Sequence, residues 1–587
     1  MTRKVFILTG LLAVALSGCL KEPEPERKPE KEDPNTVIQP GNAIASGVDM
    51  ANGGLPLRYA LSADGRRLIA GAGQRSDFYD INKIKRVDLT FPQSNWWTQL
   101  TNNYSSGTEL AARLKYDGTE LTDNVGVRFK GNTSYSQNRT EKKSFSISVD
   151  YENADQKVGG YKTLKLHCAF SDNSFMREVI YGAVNQKYIP QVASNYIDLY
   201  INGTYWGVYV NMQNINNDFL REWFPSKNGS RWRAGGGPGG GMPGIGIPPG
   251  GINPGGGPGG VMGAGTSSLN YLGDKGSSYE KYYELKNTTR NDPWQDLADV
   301  CKALNQTPAS ELEAKVREVL DLDRTLWFLA CEIIFADDDS YVQKGGMDYY
   351  LFWDTATGRL TPIEWDGNEA LGSSRTSWSP FYNETNTRYP LMNKLFSVPN
   401  IRQRYLAHFR TILEESFNPD AMNELIDNNA ARINTYIQND PKKMMTYAQF
   451  TNEVSNLKNI VRTRYNYLSS HAEINVKGLT ISDVQWSVNN RVWTLPSQDD
   501  RVYVTAKVSG HAGVGSVYLW GGTGMAGNFL PIEMTSQGDG LYGCYIPSQK
   551  KGVRVRFYIE ATASNSAKTK SYEPARAEQD VYTYVVQ

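Results

Sequence analysis

The apolar positions of this chain change period along its length. Val502, Val504, Ala506 and Val508 alternate with polar neighbours, as do Val553, Val555, Phe557, Ile559 and Ala561. Period two is the mark of a half-buried strand. Several such runs with Gly-containing turns predict an all-β sandwich over residues 476–587, immunoglobulin-like in size and supplying its own core. Upstream, Phe450, Val454, Leu457, Val461, Tyr465 and Leu468 recur every three or four residues. That spacing predicts a helix over 446–468, with Thr446 and Gln449 placed as a capping box. Asp321 to Phe335 is apolar nearly all round, as a central buried helix requires. From about residue 85 to Arg233 the pattern mixes both periods. VGVRFKG (125–131) and KSFSISVD (143–150) read as strands, Met176 to Tyr188 as a helix, and NYIDLYING with WGVYVNM as a hairpin around Asn202-Gly203. The fold class expected is α+β over 85–475, followed by the all-β module.

Two stretches break the pattern. Residues 235–265 hold 17 Gly and six Pro without a three-residue period, so collagen is excluded and a solvated insertion within the main domain is expected. Residues 20–40 are a Pro/Glu/Lys run that cannot bury apolar surface. Ahead of them, Arg3-Lys4 precedes an apolar run from Val5 to Leu16 that ends in Leu16-Ser17-Gly18-Cys19. This looks like a bacterial lipobox, with an ordinary secretory signal as the other reading. Residues 1–18 are then a signal peptide and Cys19 a lipidation site. Residues 19–84 become the lipidated Cys, a tether and an irregular region. The localisation expected is the cell envelope, lipid-anchored at a membrane.

Length and charge narrow the function classes. At 587 residues the chain exceeds one ordinary core. Lys+Arg and Asp+Glu both number 62, which argues against a general nucleic-acid binder. Cys168, Cys301, Cys331 and Cys544 are too far apart for a metal knuckle, and the four His residues have no metal spacing, so zinc chemistry is not expected. Cys301 and Cys331, in apolar helical patterns, read as buried thiols. The best candidate chemistry lies in two acidic clusters, Asp337-Asp338-Asp339 and Glu364-Trp365-Asp366-Gly367-Asn368, flanking a strand pair over 349–353 and 360–363. Carboxylates at one end of a hairpin suit phosphoryl transfer, one orienting an acceptor hydroxyl and another holding Mg²⁺. Acidic turns of this kind also cap helices and stay solvated.

VGVRFKGNTSYSQNRTEKKSFSISV, SDNSFMREVIYGAV, LYINGTYWGVYVNMQNINNDFL, YYELK and DDDSYVQKGGMDYYLFWDTATGRLTPIEWDGNEALG occur in that order. Together they resemble the CotH kinase-like family (spore-coat protein H type) over about residues 85–470. The resemblance implies a divergent protein-kinase-like fold, ATP with Mg²⁺ or Mn²⁺ as cofactors, and a secreted or surface protein as phosphate acceptor. It further implies Asp339 as catalytic aspartate, Lys143, Arg128, Gly131 and Gln213 as nucleotide-binding positions, and Asp366, Asp348 and Asn368 as metal ligands. Two positions depart from the family pattern. Asp348 stands where Asn is common, and Gln213 where Glu is usual. The functions expected are a secreted atypical kinase or, alternatively, a catalytically silent binding scaffold. A carbohydrate-degradation accessory is a third class, suggested by aromatic content and the sandwich.

Overall fold

The computed structural model describes residues 54–235, 267–343 and 348–587. The expected signal peptide, Cys19, the tether and nearly all of the 235–265 stretch lie outside the described residues. The chain is α+β. It opens with a hairpin, β1 (Tyr59–Leu61) and β2 (Arg67–Ala70). Next come β3 (Ile84–Thr90), β4 (Leu110–Tyr116), β5 (Thr119–Glu120), β6 (Val125–Lys130), β7 (Ser144–Ser148), β8 (Thr163–His167), β9 (Ser194–Ile201) and β10 (Thr204–Met212). The helices α1 (Trp96–Asn103), α2 (Thr133–Ser136) and α3 (Arg177–Asn185) lie between them.

Because β3 pairs in parallel with β9 and antiparallel with β4, this sheet closes on itself in the order β3-β9-β10-β8-β7-β6-β4. Closure removes free edges. Alternate residues Val125, Val127 and Phe129 of β6, Phe145 and Ile147 of β7, and Leu164 and Leu166 of β8 join one buried cluster. Their neighbours must therefore face the other way. Arg128 pairs with Ser146, Ser146 with Lys165, and Lys130 with Ser144. One outer face of the ring is thus polar and cationic.

The second half of this domain is largely helical. It holds α4 (Asn217–Trp223), β11 (Gly229–Ala234), β12 (Tyr283–Thr288), α5 (Pro293–Gln306), α6 (Ala309–Val319) and α7 (Leu322–Phe335). The hairpin β13 (Tyr349–Asp354) and β14 (Arg359–Glu364) joins β11 and β12 in a four-stranded sheet. The helices α8 (Pro390–Asn393), α9 (Pro399–Glu415), α10 (Pro419–Asn439) and α11 (Tyr447–Ser469) complete it. As its all-round apolar pattern requires, α7 is buried, and Asp321 caps its start. Thr446 and Gln449 form the expected capping box on α11. From α11, buried Arg464 donates to the carbonyls of Ile333 and Ile334, fixing the end of α7 from which the first acidic cluster departs. Cys168, Cys301, Cys331 and Cys544 are free, buried thiols.

Two antiparallel sheets around a common core make up the C-terminal part. Their strands are β15 (Thr480–Val488), β16 (Arg491–Val492), β17 (Val502–Ser509), β18 (Val514–Thr523), β19 (Leu530–Glu533), β20 (Thr535–Gly538), β21 (Leu541–Ile546), β22 (Arg554–Ala563), β23 (Lys570–Glu573) and β24 (Asp580–Val585). One sheet runs β16-β15-β17-β21-β20. The other runs β1-β2-β24-β22-β18-β19, with β23 on β22. This corrects the expectation of an irregular N-terminal region. Residues 59–70 form a hairpin turned at Asp64-Gly65, and β2 pairs with β24 from Arg67 opposite Tyr582 to Ile69 opposite Asp580. The hairpin covers what would otherwise be a bare sheet edge.

A buried ionic network fastens this sandwich to the helical half. Asp323 of α7 accepts from Arg404 Nε at 2.8 Å, from His408 Nε2 at 2.7 Å and from the backbone N–H of Glu578 at 2.9 Å. Arg404 also donates to Tyr558 and to Glu578, each at 2.9 Å. Burial and the adjoining Arg404 hold His408 below its ordinary range, so it stays neutral. Among the described residues, no helix is long and apolar enough to cross a membrane. Asp323→Ala leaves a buried guanidinium without its carboxylate, and should destabilise the whole chain by about 3–5 kcal/mol in urea unfolding. A loss within about 0.5 kcal/mol, the size of an ordinary surface change, would mean the network does not fasten the two parts.

Candidate active site

The cationic wall of the ring is where chemistry-bearing groups converge. Lys130 ends β6, Lys165 and His167 sit two residues apart on β8, and Arg128 precedes Lys130 by the same step. Lys165 Nζ donates to Ser146 Oγ at 2.8 Å. The Lys130 ammonium donates to His167 Nε2, and the Nδ1–H on the other side of that ring donates to Glu178 Oε1 at 2.6 Å. Burial and the nearby lysines push His167 down to about 3, so the imidazole is neutral and can accept from Lys130. Crowding among cations and burial likewise push Lys165 down to about 7.

Facing this wall is the second acidic cluster, brought in by α3. Glu178 and Tyr181 lie three residues apart on α3 and so share a face. Gly367 packs directly on Tyr181: a methyl group there would lie 2.4 Å from the ring carbon Cγ. That close approach sets Asp366 beside Glu178. Ligand atoms of His167, Glu178 and Asp366 all lie within 4.8 Å of one another. Arg177 holds the pieces in place by donating to the Ala370 carbonyl at 3.0 Å, Asp172 at 2.6 Å and Glu453 at 2.7 Å.

More carboxylates stand behind these two. Glu332, Asp337 and Glu364 are fully buried. Glu332 accepts the backbone N–H groups of Tyr341 at 3.3 Å and Val342 at 3.1 Å, folding the first acidic cluster back onto α7. Burial raises the pKa values of all five groups, Glu178, Glu332, Asp337, Glu364 and Asp366, and repulsion from neighbouring carboxylates adds to it. Glu178 Oε2, Asp337 Oδ2, Glu364 Oε2 and Asn368 Oδ1 are buried oxygens with no hydrogen-bond donor. Orphaned acceptors beside two carboxylates and an imidazole fit a divalent cation. Oxygen ligands suit Mg²⁺ or Mn²⁺, and His167, bonded to Lys130 through Nε2 and to Glu178 through Nδ1, orients Glu178 beside them.

The residues named from sequence divide accordingly. Asp366 is in the cluster, and Asn368 follows in the same turn, its N–H on Asp366 Oδ1 at 3.3 Å. Asp339, half-buried, donates its N–H to Asp337 Oδ1 at 3.2 Å. Arg128 lies on the cationic wall. Gly131, at φ 88°, turns the chain into α2, where a Cβ would meet Ser134 Oγ at 2.0 Å. Three of the named residues lie outside this cluster. Lys143 is spent on α2, donating to the carbonyls of Tyr135 at 3.1 Å and Asn138. Gln213 is buried, with its amide bonded to Ala193 N–H at 3.0 Å and Glu222 at 2.8 Å. Asp348 is paired with Arg233 rather than with Asp366. In their place stand Lys130, Lys165, His167 and Glu178, which the sequence reading did not single out. His167 had been set aside for lacking metal spacing, yet its partners come from α3 and the turn after β14.

A family model described as CotH kinase protein matches residues 127–468, more than half of the chain. The chain belongs to the CotH kinase family. It is a kinase-like protein, and the matched span holds every residue of the cluster. The inner spore coat protein H of Bacillus subtilis (strain 168) is 24% identical over 203 residues, 34% of this chain and 54% of that protein. The chain thus spans about half the length of the curated relative it matches.

In this CotH-family chain, the close packing of Gly367 on Tyr181 is a testable requirement. Gly367→Ala forces the turn off α3, and should lower stability by about 1–3 kcal/mol and weaken Mn²⁺ binding in calorimetry. Unchanged Mn²⁺ affinity would separate the turn from the metal site.

Proposed function

We propose that this chain is an extracytoplasmic atypical protein kinase, transferring phosphate from ATP to Ser or Thr of surface or secreted proteins. The observation that carries the reading is the meeting of the Lys130 end of the cationic wall, through His167, with Glu178 and Asp366. Cations on a strand wall facing metal-binding carboxylates are the parts that phosphoryl transfer needs. Asp366 and Glu178, with Asn368 and His167 beside them, would hold Mg²⁺ or Mn²⁺, which when bound neutralises phosphate charge. Lys130, Lys165 and Arg128 present donors to phosphate oxygens. Gly131 brings backbone close to the same edge without a side chain in the way. Asp339, two residues beyond Asp337, would accept the proton of an acceptor hydroxyl. The reading extends to the envelope: lipidation at Cys19 would anchor the chain, leaving the kinase-like domain beyond the membrane.

The C-terminal module we read as immunoglobulin-like. Its core order β15-β17-β21-β20 against β24-β22-β18 corresponds to the ABED and GFC arrangement of that sandwich, which supports the assignment. A second functional reading, a catalytically silent scaffold, is favoured by the occupation of Lys143 and Asp348 in structural pairs.

Asp366→Asn should abolish metal-dependent ATP binding and reduce phosphoryl transfer by orders of magnitude, since charge neutralisation supplies most of this catalysis. Asp339→Asn should spare ATP binding and depress transfer. Calorimetry with ATP and Mn²⁺, alongside transfer of labelled phosphate to candidate acceptors, distinguishes these. A folded wild-type chain that binds no nucleotide contradicts the kinase reading and leaves the scaffold.

A further inference from the structure

The beginning of α3 serves the cleft, and its far end meets a second cavity. This space, of about 350 Å³, is lined by Gly182 and Ala183 of α3 and its C-cap Gln186, together with Arg58, Arg75 and Tyr79. That volume lies within the range of small-molecule sites. Arg58 is 5% exposed. Its terminal nitrogens donate to the carbonyls of Gly73 and Gly71 and to Gln186 Oε1 at 3.2 Å, while its Nε has no acceptor. Arg75 donates to Gln186 Oε1 at 3.3 Å and to the Gln191 carbonyl at 3.4 Å. Its Nε stands 3.6 Å from Glu222 Oε2, beyond hydrogen-bond length. The buried Tyr79 hydroxyl also has no partner. Three residues that line one cavity thus each hold a buried donor without an acceptor, against the general rule that buried polar groups are satisfied.

Charge points the same way. Two guanidinium groups share a single carboxylate, Glu222, whose Oε1 already receives Tyr161 and Gln213, each at 2.8 Å. Burial and the neighbouring Arg75 push Arg58 down to about 10, the response of a cation short of counter-charge. Two acidic residues at the rim, Asp77 and Asp80, are matched by Lys83 and Lys85. Arginines present paired N–H donors that fit a carboxylate or a phosphate.

We propose that this cavity binds a small organic anion through a carboxylate or phosphate head held by Arg58, Arg75 and Tyr79. The site is separate from the nucleotide cleft and does not depend on the kinase reading. Its occupant would touch the same helix that carries Glu178.

The test is calorimetry and thermal unfolding of the purified full chain with glycerol 3-phosphate and with succinate, at fixed ionic strength against sodium chloride and without nucleotide. Saturable binding in the millimolar range or tighter is expected for at least one probe, and the probe that binds identifies the head group. Arg75→Gln should weaken that binding by about tenfold or more. Tyr79→Phe should weaken it while leaving the melting temperature of the unliganded chain equal or higher, because it removes an unpaired buried hydroxyl. Lys165→Met, in the nucleotide cleft, should leave it unchanged. Binding of neither probe overturns the proposal. So does binding that survives both Arg75→Gln and Tyr79→Phe, or binding that Lys165→Met abolishes.

Discussion

A closed ring of strands fills its own interior, and the alternation that does so sends every second side chain to the outside. At β6, β7 and β8 those outward residues are Arg128, Lys130, Lys165 and His167, with serines between them. Cations packed against protein need anions or an anionic ligand to face them. Glu178 of α3 and Asp366 of the helical half answer them, backed by three fully buried carboxyl groups. The rest of the cleft follows from this opposition. It explains the glycine at 367, since only a residue without a side chain lets the turn press against α3. It explains the Arg177 staple, which ties α3 to that turn and to α11. It also explains why so many oxygens in the cleft lack donors. The site has an acid excess that protons can relieve one at a time and that a divalent cation relieves at once.

The same logic of buried charge operates at the other end of the domain with the opposite outcome. Asp323, Arg404, His408 and Glu578 bond one another, and that network docks the sandwich. In the cleft four oxygens lack donors, and around the Arg58–Arg75 cavity three donors lack acceptors; several unsatisfied groups gathered in one place suit a ligand that would complete them.

Much of the architecture was legible in the chain because it is written in local periods. The buried helix α7, the box on α11, the hairpin β13–β14 and the pairing of β6 with β7 all follow from spacing of two or of three to four. The hairpin β1–β2 escaped because strands of three and four residues carry too little alternation, and their partner lies about 500 residues away. The site was legible only in part. Asp339 and Asp366 stand in conspicuous acidic turns. Choosing among the lysines required parity: Ser144 lies opposite Lys130 on the cleft wall, so its neighbour Lys143 cannot share that wall. Glu178 reads in sequence as an ordinary residue in the first turn of a helix. His167 closes a strand 11 residues before it, a separation that no local ligand spacing encompasses.

The central claim, that Glu178 and Asp366, oriented by His167, form the metal position of a nucleotide cleft walled by Lys130 and Lys165, is tested most directly by locating the metal. Crystals of the chain with Mn²⁺ and a non-hydrolysable ATP analogue would give an anomalous difference map at the manganese absorption edge. The account predicts one strong peak bounded by Asp366 and Glu178, with the triphosphate lying toward Lys130 and Lys165. A peak at Asp348 instead, or a nucleotide bound at Lys143 with no metal beside Asp366, would contradict it.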